Sequence, residues 1–213
     1  MTFIITATNQ NKQYVKADCS ASGLTAWIDL SVPDNEDFGT SGYITTECYL
    51  PSAPAGDSIA GGILFANIGS VGTPNWYISC RRSFNTEKKA EVSGLTYTAG
   101  NRAQIAMCDD GVAGNVMDAY FNGSLVVSSG TSTGTALGSV NYVIGGVVGS
   151  FFGGDQSRKG TYYRVAYYSR KLTTTEIGNL NSGTDPTSIA NLIFYDDFVS
   201  GITIPTYQSY TTA

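Results

Sequence analysis

Apolar and polar positions along this chain alternate with the two-residue period of β-strands, in short runs separated by turn residues, and only one stretch carries a helical signature. Thr2–Thr8 predicts a first strand, followed by a polar segment, Asn9–Gly23, with a short strand around Tyr14-Val15. Leu24–Leu30, which holds Trp27, predicts the next strand, and Tyr43–Leu50 another, stopped by Pro51. The apolar run Gly62–Ile68 suits a buried strand. Asn75–Arg82 places Trp76, Ile78 and Cys80 on one face and Tyr77 and Ser79 on the other. Lys89–Ser93, Ala103–Cys108, Tyr142–Val148 and Asn191–Val199 complete the predicted strands, with Tyr162–Ser169. In that last run Tyr163, Val165 and Tyr167 share one side, and Tyr162, Arg164, Ala166 and Tyr168 the other.

Two local signals are sharper. Val116–Val127 predicts a hairpin, because Asn122-Gly123 supplies the two residues that tolerate positive φ in a type I′ turn. Leu172–Ile177 predicts a helix start: Thr173 as N-cap, Glu176 three residues on as its capping-box partner, and Leu172 with Ile177 as a hydrophobic staple. That helix should be short, near 174–180, and stop before Gly183. Many short strands, regular turns and one small helix argue for an all-β fold, an antiparallel sandwich. No composition break marks a second domain, so 1–213 is expected to form one domain, with 1–23 and 200–213 as arms or edge strands.

Composition narrows the function classes. Hydrophobic residues make up 42%, enough for a sizeable core, while charged residues are only 14%, so solubility leans on Ser, Thr, Asn and Gly. A net charge of −5 leaves no basic footprint for nucleic acid, and Arg81-Arg82 and Lys88-Lys89 read as separate solvated pairs. The chain has no histidine, which excludes Ser-His-Asp and Cys-His catalysis and His-ligated zinc. Cys19, Cys48, Cys80 and Cys108 are widely spaced with no CxxC pair. Their even number allows two disulfides; a chain of this size needs no staples, and free buried thiols are the favoured reading. No stretch has the length and apolarity of a membrane span, and MTFIITATNQ has no basic region ahead of an apolar core.

Four segments in order then suggest a family: YITTECYLP at Tyr43–Pro51, GNRAQIAMCD at Gly100–Asp109, YFNGSLV at Tyr120–Val126 and GTYYRVAYYSRKLTTTEI at Gly160–Ile177. Together they resemble the laminin-G-like, concanavalin A-like jelly rolls, as a distant member. The resemblance implies a jelly-roll sandwich that works outside the cell. The chain departs from the family where Cys48 replaces a Trp, where Arg102-Ala103 replaces a Trp-His pair, and where Tyr163 replaces an Asp. These departures put any family calcium site in doubt.

Three chemistries are weighed. Glucanases of this architecture place carboxylates at alternate residues of one strand, and no such Glu/Asp pattern occurs here, so no catalytic residue is assigned. Asp109, Asp110 and Asn115 surround a glycine turn and are weak calcium candidates; the ligand count falls short, and an Asx turn explains them without a metal, so no cofactor is expected. For sugar, Trp76, Phe151 and Phe152 are candidate stacking rings, with the Tyr162-Tyr163 pair, and Asp155 and Gln156 are hydrogen-bond partners. Phe151-Phe152 lies between glycines, where a loop exposes at least one ring, although core packing competes for any single ring.

The expectation is a non-enzymatic structural or adhesion protein of a virion, most plausibly a bacteriophage capsid-decoration or tail-fibre protein. Its partners would be other virion proteins or a cell-surface glycan, with a homo-oligomer as the working form. It would be made in the host cytoplasm without a signal peptide. The alternatives are a free carbohydrate-binding module and a glycoside hydrolase or lyase.

Overall fold

The computed structural model describes residues 3–5, 14–18, 23–32, 59–67, 69, 73–82, 88–112, 115–129, 139–143, 146–150, 154–157 and 160–197. The strands are β1 Phe3–Ile5, β2 Tyr14–Asp18, β3 Leu24–Ser31, β4 Ile59–Asn67, β5 Trp76–Arg82, β6 Lys88–Leu95 and β7 Ala103–Asp109. They continue as β8 Met117–Phe121, β9 Ser124–Ser129, β10 Ser139–Val143, β11 Gly146–Ser150, β12 Gly154–Ser157, β13 Gly160–Tyr168 and β14 Leu192–Asp196, with one α-helix, α1 Thr174–Asn181. Tyr43–Leu50, Cys19, Cys48 and 200–213 lie outside the described residues.

The strands form a jelly-roll sandwich. Sheet A runs β1-β13-β3-β7-β8-β9, with β14 also on β13; sheet B runs β2-β10-β4-β5-β6. Pairing is antiparallel apart from the parallel β10–β4 pair. β1 pairs with Gly160–Tyr162 and β14 with Val165–Tyr168, so both share the edge of β13 opposite β3. The predicted run Tyr142–Val148 divides between β10 and β11, and β11 pairs with β12 in a separate ribbon; the glycine pair inside the run punctuates it.

The core lies between the sheets. Leu24, Ala26, Ile28 and Leu30 of β3, Ile105 and Met107 of β7, and Val165 and Tyr167 of β13 meet Ile63, Phe65, Trp76, Ile78 and Cys80 of sheet B. Phe65 sits at the centre of an aromatic group, 5.2 Å from Trp76, 5.0 Å from Tyr97 and 5.4 Å from Phe121 between ring centroids. Cys80 and Cys108 are free and buried. Burial raises both thiols, Cys80 well above its ordinary value and Cys108 to about 12.

The predicted hairpin joins β8 to β9, with φ of 48° at Asn122 and 80° at Gly123, both in the left-handed region that the turn requires. The predicted helix also forms. Thr173 Oγ1 accepts the Glu176 N–H at 3.2 Å, and Glu176 Oε2 accepts the Thr173 N–H at 2.9 Å. The Arg170 fork beside Glu176, helped by the bonds from Thr173, holds its carboxyl down at about 2. Leu172, Ile177 and Leu180 press onto Trp27, Ala106, Cys108, Tyr120, Ala166 and Tyr168, the outer face of sheet A. Thr25 anchors the approach to the helix: its hydroxyl donates to the Arg170 carbonyl at 2.9 Å and accepts the Leu172 N–H at 2.8 Å.

Candidate functional site

The outer face of sheet A can be read as cross-strand rows. One row is Ala166–Trp27–Ala106–Tyr120, and the next toward the far end of β3 is Arg164–Asp29–Gln104. Alanines on both sides of Trp27 leave its indole room over the sheet. The helix covers the first row. The second row is polar, and Arg102, Ser31 and Tyr163 extend it.

Asp29 organises this row. Its side chain has 0% exposure, and two guanidinium groups converge on it. Arg102 donates from Nε to Oδ1 at 2.6 Å and from Nη2 to Oδ2 at 2.7 Å. Arg164 donates from Nε and Nη2 to Oδ2 at 2.9 and 2.7 Å. Asp29 sets one carboxylate against two guanidiniums, and the Asp185 carboxylate also acts on Arg164. The aromatic rings take the guanidinium planes: Arg102 Cζ lies 4.4 Å from the Tyr163 centroid and Arg164 Cζ 5.0 Å from that of Trp27. The indole N–H of Trp27 donates to Gln104 Oε1 at 3.2 Å, and since an indole is donor-only this fixes the amide orientation and leaves Nε2 as a donor.

Tyr163 reaches this face through a β-bulge. The register with β3 slips between Tyr162 and Arg164, where Tyr162 pairs with Leu30 and Arg164 with Asp29. The extra residue turns Tyr163 outward, against the simple alternation that grouped it with Val165 and Tyr167, and sets its hydroxyl 3.3 Å from Ser31 Oγ.

The sequence candidates fare differently. Trp76 is a correction: at 1% exposure it packs among Phe65 and Tyr97 and has no face for a sugar. Its alternation with Ile78 and Cys80 turns it inward. Phe151 and Phe152 lie outside the described residues. Asp155 lies in β12, in the separate β11–β12 ribbon. Asp109, Asp110 and Asn115 form a turn in which Asp109 Oδ1 accepts the Gly111 N–H at 3.0 Å. Asp110 accepts from the Val112 N–H at 2.9 Å and from Asn115 Nδ2 at 2.6 Å. Among the described residues no group of three or more His, Cys, Asp or Glu is placed to hold a metal. Arg81-Arg82 and Lys88-Lys89 are not separate, because the β5–β6 register sets Arg81 opposite Lys89 and Arg82 opposite Lys88.

The Asp29 cluster was missed by the sequence reading. Its signal was present: LTAWIDLS carries one charged residue, two positions from Trp27 and so on the same face.

No family model matches the chain, and no curated protein does. Among solved structures it is similar to the botulinum neurotoxin serotype G binding domain, at 14% identity and TM-score 0.46, over 79% of this chain and 38% of that one. It is also similar to the binding domain of botulinum neurotoxin DC in complex with SialylT, at 7% identity and TM-score 0.43, over 86% and 47% of the two chains. A third is Trypanosoma rangeli sialidase in complex with 2,3-difluorosialic acid, at 12% identity and TM-score 0.36, over 77% and 23%. This chain spans less than half the length of each. At these identities and TM-scores no residue role carries over.

Proposed function

We propose that this chain is a non-catalytic binding domain of the adhesion type, which holds a glycan against the open end of the outer face of sheet A. The observation that carries the reading is the Arg164–Asp29–Gln104 row with Tyr163 and Arg102 beside it, while Trp27, buried under the helix, backs the Arg164 guanidinium. The partly exposed Tyr163 ring and the Arg102 guanidinium, beside fixed hydrogen-bond donors, are the kind of surface a sugar ring and its oxygens need.

Among the described residues, four acids are engaged in structural bonds, which supports a binding role. A glycosidase needs one carboxyl that stays protonated near neutral pH. Glu176 is held down at about 2 in its capping box, chiefly by Arg170. Asp185 is lowered by its bonds from Thr187. Asp118 takes the Ser128 hydroxyl at 2.5 Å and Lys171 at 2.7 Å. Glu91 accepts from Tyr77 and Ser79, each at 2.8 Å.

The setting this reading favours is the surface of a particle that works outside the cell, a virion, because charged residues are only 14% and Ser, Thr and Gly carry solubility. The test is the full chain on a printed array of neutral and acidic glycans, with a reducing-end assay on the same sugars. Retention of a glycan class without release of reducing ends is expected. Release that disappears on changing one acid would contradict the reading, as would retention of no glycan.

A further inference from the structure

Arg102 is exposed and yet held. Its side chain is 52% open to solvent, one edge of its guanidinium is committed to Asp29, and one face lies on the Tyr163 ring. The carboxylate end of this pair is buried and the guanidinium end half open, so Arg102 both matches Asp29 and presents its remaining donors to solvent. Arg164 already supplies Asp29 with a countercharge through two hydrogen bonds. Both Arg164 bonds fall on Oδ2 and Arg102 Nε takes Oδ1, so Arg102 is a second cation on one carboxylate, and its Nη1 edge is not used by Asp29. The loss of side-chain freedom that a ligand would otherwise impose is largely met in advance. Gln104 adds a donor, because Trp27 occupies its amide oxygen. A set made of donors reads an acceptor-rich partner.

The surrounding charges point to Arg102 rather than Arg164. Asp29 and Tyr163 are the titratable groups that bear on Arg102. Arg164 has, besides Asp29, the carboxylate of Asp185 acting on it, and shares the neighbourhood of Tyr195 with Asp197. An incoming anion meets less opposing charge at Arg102.

We infer that Arg102 is the contact residue for an anionic group on the bound glycan, a carboxylate or a sulfate, with Asp29 and Tyr163 as its positioning residues. This rests on the glycan reading above. Arg102 donates its outer guanidinium edge to the anion, Tyr163 supports the guanidinium plane, and Asp29 fixes its direction.

The experiment is calorimetric titration of the full chain with lactose, 3′-sialyllactose and 3′-sulfolactose, beside the same glycan array. Arg102→Gln is compared with Arg82→Gln at the basic end of β5–β6, and melting temperature is recorded for both. The expected result is at least tenfold tighter binding of an acidic trisaccharide or sulfated sugar than of lactose, weakening with salt. Arg102→Gln should erase that preference while the protein still melts as one cooperative transition at a lowered temperature, and Arg82→Gln should keep it. A stronger response to 3′-sialyllactose identifies a carboxylate, and a stronger response to 3′-sulfolactose a sulfate. Retention of neutral glycans alone on the array, or an acidic preference that survives Arg102→Gln, overturns the inference and leaves the glycan reading standing. Retention of no glycan overturns both.

Discussion

Asp29 lies on the outward face of β3 with no exposed side-chain surface, and its charge is matched by Arg102 and Arg164. Removing one partner of a buried ion pair leaves the other uncompensated. Asp29→Asn should therefore destabilise the protein, by about 1–3 kcal/mol rather than more, since Arg102 can turn to water. Urea titration measures this. Glu176 carries a pH-dependent contribution. Arg170 and the bonds from Thr173 hold its folded carboxyl at about 2, below the ordinary 4.5, so its stabilisation is complete above the unfolded value and is lost as pH falls toward the folded one. The stability gap between the protein and Glu176→Gln should be constant near neutral pH and shrink between about pH 4.5 and pH 2. A gap independent of pH would refute that assignment. Cys80 and Cys108, buried with raised pKa, should resist thiol labelling in the folded protein and react after denaturation, read peptide by peptide in a mass spectrometer.

Elements with local signals were legible in the sequence. The capping box needs only Thr173 and Glu176, and the hairpin only Asn122-Gly123, so both stood out without knowledge of the rest of the fold. Thr173→Ala should cost about 1 kcal/mol, measured by thermal melting. Gly23 was not legible. Its φ is +80°, and a Cβ there would lie 2.0 Å from the Asp109 carbonyl, a contact that exists only once β3 pairs with β7. Gly23→Ala should destabilise more than Thr173→Ala in the same melts, because it adds strained backbone to a clash that neither strand end can relieve cheaply. The side of Tyr163 was hidden for a related reason. In TYYRVAYY both faces carry tyrosines, so the sequence gives no sign of the one-residue slip between Tyr162 and Arg164.

At the scale of the molecule, the two sheets enclose a core to which the aromatic group around Phe65 is central. The helix then covers the Trp27 row of the outer face of sheet A, with the polar row beside it. The sandwich could be anticipated because alternation repeats along the chain. The site could not, because Asp29, Arg102 and Arg164 are separated by 73 and 135 positions and meet only through strand pairing. Trp76 illustrates the converse: a large ring suggests a ligand platform, but its strand face had already turned it inward. The central claim is that ligand is held on the outer face of sheet A. Amide hydrogen exchange of the full chain with and without 3′-sialyllactose tests it most directly. The account predicts slowed exchange in Leu24–Ser31, in residues 100–109 and in Gly160–Tyr168. Slowing confined to β4–β6 or to residues 146–157, or slowing nowhere, would contradict it.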